Sequence, residues 1–431
     1  MHVSTVTPYR LLLLRLGICL LFLSPVHISA QPVSREATAA YRQKTYRNIV
    51  QHTIQKNLSV PLTRETEDQW KDALSAMLLL QYQSDWTQRK IFEACSSFSK
   101  DTSNLFIPIV EYLYAMRVRG LGHWAYTLLQ LQSDPVSVGI ITQYLLASDP
   151  GNINRVDLVK SIDHLTKELS KDPTVESLKY QVNHPDTIQQ PSIDDFFRPD
   201  YLPGQVLLLC LQRTDRNYPG LILVRDTAGQ WLKDSTGKLA SISILARSQN
   251  NLPGYFSNGN TPEGLFRMDG FAQSASGFIG PSTNIQLTMP FEYKAGHFYS
   301  DSTLSDSSWS IEAYERLLPA GMRGYFPAYE SYRAGKAGRR EIIIHGSTVD
   351  PSWYRSFPFF PFAPTLGCLT TKESWDPENG QRVQSDQQNL VDLVIKAGGP
   401  HGYLMVLNLN SRSGPVSADE IQTILQQAGI Q

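Results

Sequence analysis

Two residues in the C-terminal half of this 431-residue chain have the types and spacing for nucleophilic chemistry. Ile342-Ile343-Ile344-His345-Gly346 reads as a buried strand ending on a histidine, and the glycine behind it lets backbone pass close to the ring. Cys368 follows 23 positions later (368 − 345), in Thr365-Leu366-Gly367-Cys368-Leu369-Thr370. A glycine before the cysteine, after a proline-rich loop, suits a thiol held at an exposed turn. Only a thiolate attacks. A free thiol titrates near about 8.5, and a neighbouring imidazolium brings that to about 3.5 to 7.5. The pair is therefore suited to act as an ion pair or as base and nucleophile. Taken singly, a strand-end histidine is more often a packing residue, so the pairing carries the reading.

The remaining cysteines sharpen it. Residues 1–30 hold Arg10 and Arg15 with no acid, an apolar run from Leu16 to Leu23, and Ile28-Ser29-Ala30 before Gln31. That pattern predicts a secretory signal peptide cut after Ala30, because the run falls short of the roughly 20 residues a membrane span needs. Cleavage removes Cys19 and two positive charges, so 37 basic minus 40 acidic residues leaves −3 on the mature chain. Cys95, Cys210 and Cys368 remain, an odd number for an oxidising compartment, and at least one thiol must stay unpaired. Cys210 ends the run Val206-Leu207-Leu208-Leu209 and reads as a small core residue. The charges are interspersed, which gives no footprint for nucleic acid or an anionic membrane, and no metal or organic cofactor is expected.

Two halves must position these residues. From Arg35 to about Tyr180 the apolar residues recur at helical spacing, as in Trp70, Leu74, Met77 and Leu78, and again in Leu105, Ile109, Leu113 and Met116. An all-α domain is expected over 31–184, with Asp134-Pro135 starting a helix from Val136 to Leu146, and another amphipathic helix from Asn152 to Lys171. His123 reads as a packed histidine and His164 as a surface one. Prolines 191 and 199 mark a linker over 185–203. Short branched runs then predict strands at Gln205–Leu211, Leu221–Arg225, Ala240–Ala246, Ile285–Met289, Glu341–Ile344 and Tyr403–Leu409. One clear helix is expected from Ser385 to Lys396, and residues 412–431 read as a tail. The fold class is α+β, all-α first and mostly β from 204 to 411.

The order His-Gly, loop, Thr/Ser-x-Gly-Cys, helix and last strand resembles the L,D-transpeptidase catalytic domain. Upstream, Thr261-Pro262-Glu263-Gly264-Leu265-Phe266 is similar to the Thr-Pro-x-Gly-x-Phe/Tyr turn that precedes that family's site. The resemblance covers roughly residues 200 to 411. It implies an exported enzyme of the bacterial cell envelope acting on peptidoglycan tetrapeptide stems. Cys368 would be the nucleophile, His345 the base and acid, the Gly346 carbonyl the group orienting His345, and Gly367 part of the oxyanion region. Thr365, Thr370 and Arg355 are the candidate substrate contacts. An amine of a second stem resolves the thioester to a cross-link. If water does so, the same site is a carboxypeptidase or endopeptidase.

The chain departs from the family at two places. Thr370 stands where an arginine commonly follows the cysteine, and Leu366 where a basic or histidine residue often lies. Both bear on recognition of an anionic stem. The loop 347–364 is long and carries Trp353, Tyr354, Phe357, Phe359, Phe360 and Phe362, either as a lid over a substrate groove or as aromatics packed on the sheet. A non-catalytic wall-binding scaffold, recruiting protein partners through its helical half, is the rival reading. A papain-type protease is disfavoured, because it places cysteine before histidine.

Overall fold

Val206 to Leu211 is apolar at every position, and strand β1 (Val206–Arg213) is buried along its whole length. Such a run needs cover on both faces. The computed structural model supplies it, and describes residues 31–97, 104–148, 154–184, 191–305 and 308–430. The expected leader over residues 1–30 lies outside the described residues.

Among the described residues a closed barrel runs through β1, β10 (His401–Asn410), β4 (Gly264–Ala272), β5 (Asn284–Thr288), β6 (Ile343–His345), β7 (Leu369–Thr371), β3 (Ser241–Leu245) and β2 (Gly220–Arg225). Most neighbours are antiparallel. β1 pairs with β10, and β6 with β7, in parallel. Alternate side chains of β1 divide between two cores, as a period of two requires. Val206, Leu208 and Cys210 join Phe266, Ile344, Leu369 and the helix Asp386–Lys396. Leu207, Leu209 and Leu211 face Phe196, Phe298, Tyr314 and Leu425 on the other side. A small two-stranded sheet, β8 (Glu373–Trp375) with β9 (Arg382–Ser385), follows β7.

The expected strands all lie within one or two residues of observed ones, and α+β is the class of the fold. β4 and β7 had no clear strand pattern. β4 is broken by Asp269 and Gly270, and β7 is three residues of Leu-Thr-Thr. The described part of the expected linker holds the turn Asp194–Phe197, whose Phe196 and Phe197 are buried on the barrel. The segment read as a tail forms the helix Ala418–Gln427, which buries Ile421 and Leu425 at the i, i+4 spacing of one helical face.

The N-terminal half is helical. Asp134 accepts from the Ser137 N–H at 2.8 Å and starts the helix Pro135–Ser148, while Asn154 caps Arg155–Leu165. His123 is exposed, against the packed role expected of it; Trp124 beside it meets Phe106 at 5.8 Å. No helix among the described residues is long and apolar enough to cross a membrane.

Residues 32–431 form one compact unit. The helical core takes in Leu252, Tyr255 and Phe256 from the segment after β3. Tyr354 donates to the Leu79 carbonyl at 2.7 Å, and Trp353 lies 5.9 Å from Tyr46. The helical half thus rests on loops that lead to the site. Phe256 is 2 % exposed in that seam, so Phe256→Ala is expected to cost about 3–5 kcal/mol in a urea titration. A loss under about 1 kcal/mol would show that the seam contributes little.

Candidate active site

β6 is three residues long and sits between β5 and β7. Its parallel register places Ile344 opposite Leu369 and His345 opposite Thr370. Cys368 immediately precedes β7, in line with Ile343, so the two candidate residues lie on neighbouring strands, two register positions apart. His345 is 5 % exposed, and Cys368 is half-buried.

Among the described residues the His345 ring has one hydrogen-bond partner. Nδ1 stands 2.5 Å from the Gly346 carbonyl, which assigns the proton to Nδ1 and leaves Nε2 as the acceptor. A Cβ at position 346 would meet the Glu373 carboxylate, with Oε1 only 2.8 Å away, so the close approach requires glycine. Glu373 is buried and accepts from Ser282 at 2.6 Å and Ser385 at 2.5 Å through Oε1, while its Oε2 has no hydrogen bond. Nothing in the motif pattern marked Glu373.

The Cys368 thiol donates to the Glu341 carbonyl at 3.7 Å, and no hydrogen bond joins it to His345. Its turn is tightly built. Gly367 has φ +114°, the left-handed side that favours glycine. Its N–H donates to Thr365 Oγ1 at 3.0 Å, and Thr365 Oγ1 donates to the Cys368 carbonyl at 2.7 Å. Thr261, from the upstream turn, donates to the Gly367 carbonyl at 2.9 Å. The two motif segments that are 106 residues apart are therefore joined directly.

Burial pushes the His345 imidazole down to about 4 from its ordinary 6.5, against the pull of the Gly346 carbonyl. Burial likewise raises the Cys368 thiol, opposed by backbone at Ile343 and by Arg339. Both groups favour their neutral forms, which suits base and nucleophile rather than a preformed ion pair.

The other expected residues are placed as follows. Thr370 is 1 % exposed and donates to the Ala363 carbonyl at 2.9 Å, so it belongs to the wall rather than the cleft. Thr365 organises the turn that leads into Cys368. The Gly367 N–H is taken by Thr365, so Gly367 acts through its backbone conformation and is not a free oxyanion donor. Arg355 is exposed, and no contact among the described residues ties it to Cys368. Leu366, two residues before Cys368, is 62 % exposed. His297 is a surface residue, 2.9 Å from Asp269 of β4, which is two strands from β6 in the sheet order. In the aromatic loop, Tyr354, Phe359 and Phe362 are buried with Leu245, which is the packed arrangement; Phe360 is 44 % exposed.

Arg339 went unread in the sequence. It is 5 % exposed and donates to the Asn260 carbonyl at 2.9 Å, the Gly259 carbonyl at 2.6 Å and the Gly254 carbonyl. A basic residue after Gly338 carries no pattern that separates it from the adjacent Arg340. Cys95, Cys210 and Cys368 are all free thiols. Among the described residues no group of three or more His, Cys, Asp or Glu side chains is placed to hold a metal. Comparison with protein-family models, with curated proteins and with solved structures finds no match to this chain.

The His345 shift has a signature in stability. Between about pH 4 and 6.5 the unfolded chain binds a proton that the folded histidine refuses. The contribution is full above pH 6.5 and is lost as pH falls toward 4, about 3 kcal/mol in all. Glu263, pushed up to about 7 mainly by burial, acts in the opposite sense between its ordinary 4.5 and 7. Subtracting the His345→Asn stability curve from the wild-type curve removes that background. The difference is expected to fall from pH 6.5 to 4, and a flat difference across that window contradicts a buried neutral imidazole.

Proposed function

We propose that this protein is a cysteine-dependent acyltransferase of the L,D-transpeptidase kind, exported to the bacterial envelope and acting on peptidoglycan stem peptides. The observation that carries it is the meeting of three separated segments: β6 with His345, the turn before β7 with Cys368, and Thr261 bonded to Gly367. These are the residues by which the chain resembles that family.

In this reading Nε2 of His345 takes the thiol proton as Cys368 Sγ attacks the stem carbonyl. The tetrahedral adduct collapses to a thioester, and the imidazolium returns the proton to the leaving D-alanine amine. Nδ1 remains bonded to Gly346, which keeps the ring in the basic tautomer. A second amine then attacks the thioester and closes the cross-link, and water gives hydrolysis instead. The thiol must first leave the Glu341 carbonyl for His345, a side-chain rotation of the kind that substrate binding induces.

The scaffold reading has one observation in its favour, since the thiol and imidazole are not hydrogen-bonded here. A half-buried free thiol in a turn held by Thr261, Thr365 and Arg339 favours the enzyme.

Incubation with a carbapenem tests the nucleophile. The mature protein is expected to gain the mass of one adduct and Cys368→Ala none; equal labelling of both, or of neither, refutes the assignment. Tetrapeptide stems with and without an acceptor amine then separate cross-linking from hydrolysis. Thr261→Val cuts the bond to Gly367 and is expected to slow acylation about tenfold, the equivalent of about 1.4 kcal/mol of barrier, at unchanged stoichiometry. An unchanged rate would remove the upstream turn from the machinery.

A further inference from the structure

A buried guanidinium lies directly behind the nucleophile turn. Arg339 precedes β6, and its fork reaches the carbonyls of Gly254, Gly259 and Asn260, all in the loop that leads into Thr261. The same fork lies against Gly367. A Cβ at 367 would collide with Arg339 Nη2 and sit 2.7 Å from the Gly259 carbonyl. Arg339 and Cys368 also feel each other's charge.

These contacts have two consequences. Three carbonyls at fixed positions need the planar, multi-donor fork of arginine, which a lysine ammonium does not reproduce. A permanent cation in a low-dielectric setting also favours a nearby anion far more than it would in water. Two groups beside it can carry that negative charge, Glu330 behind the fork and the Cys368 thiol in front of it. His345 is buried and neutral, bonded to Gly346 rather than to the thiol, so it offers no standing positive charge.

We propose that Arg339 is a positioning residue for the nucleophile: locked behind Gly367, it holds the Cys368 turn against the 254–261 loop and supplies the positive charge that favours the thiolate. The proposal rests on reading Cys368 as the nucleophile. It assigns to a residue before β6 the cationic role left vacant by Thr370 after the cysteine. The other titratable groups on this strand pair are Glu341, whose carboxylate opposes ionisation of the thiol, and His345, which is neutral. Behind Arg339 lie Glu330, which accepts from the Glu263 N–H at 2.8 Å, and Arg216.

The test is the pH profile of Cys368 alkylation by iodoacetamide in the mature protein, followed by peptide mass so that the buried Cys95 and Cys210 do not interfere. Arg339→Met is expected to raise the midpoint by about one pH unit, which lowers the rate below the midpoint about tenfold. Arg339→Lys should keep most of the wild-type midpoint, because the charge survives. His345→Asn should leave the midpoint where it is. A folded Arg339→Met with the wild-type midpoint overturns the proposal. A one-unit rise in His345→Asn also overturns it, and that arm decides the matter if Arg339→Met does not fold. Alkylation needs no stem peptide and no thioester, so a protein that fails to react with a carbapenem can still show the Arg339 effect.

Discussion

Closure of the barrel through two three-residue strands is the constraint on which the site depends. β6 and β7 pair in parallel, which a tight hairpin cannot achieve, so the chain between them must leave the sheet and return. Residues 346–368 make that excursion. Its two ends, the His345-Gly346 step and the Gly367-Cys368 turn, are brought to neighbouring strands, with Cys368 in line with Ile343 and so two register positions from His345 on the same face. A slip of one residue in either strand would turn one of the two side chains to the opposite face. Ile344 and Leu369, paired in the barrel core and both fully buried, hold that register.

The excursion is anchored by buried cations rather than by regular structure. Arg247 is 2 % exposed and reaches Asn217 at 2.9 Å, the Ser248 carbonyl at 2.8 Å and Gln81 of the helical half at 3.1 Å, with its guanidinium 4.6 Å over the Phe359 ring. Arg42, on the first helix, donates to the Thr348 carbonyl at 2.6 Å, just beyond Gly346. Burying a guanidinium is costly unless its donors are satisfied, and here backbone carbonyls of irregular loops, with the side-chain oxygens of Asn217 and Gln81, satisfy them. Each loop in turn gains partners for carbonyls that no ladder would serve. The helical half therefore bears on the site mechanically, by holding the loop that follows His345.

Burial sets the chemistry of the pair. An imidazole lowered to about 4 stays neutral at pH 7, and its Nδ1 proton is committed to Gly346, so Nε2 is held ready as a base. The raised thiol keeps its proton until a base or a cation draws it off. Both groups are thus uncharged at rest.

By itself the sequence determined the class of each half and most of the strands, and it singled out His345 and Cys368 as the candidate pair. These are local matters: apolar periodicity, turn residues, and a glycine beside each reactive side chain. The chemistry-bearing motifs, His345-Gly346, Gly367-Cys368 and Thr261-Pro262, were legible because each keeps its residue types within a few positions. Only the tertiary structure decided which distant groups touch them. Arg339 and Glu373 act through buried contacts across the chain, and no local pattern distinguishes them from solvated charges. Thr370 and the Gly367 N–H were assigned outward roles that packing cancels, because the loop at Ala363 covers Thr370 and Thr365 claims the amide. The aromatic loop read equally well as a lid or as core, and the helical half settled it by providing the surface on which Tyr354 and Trp353 pack.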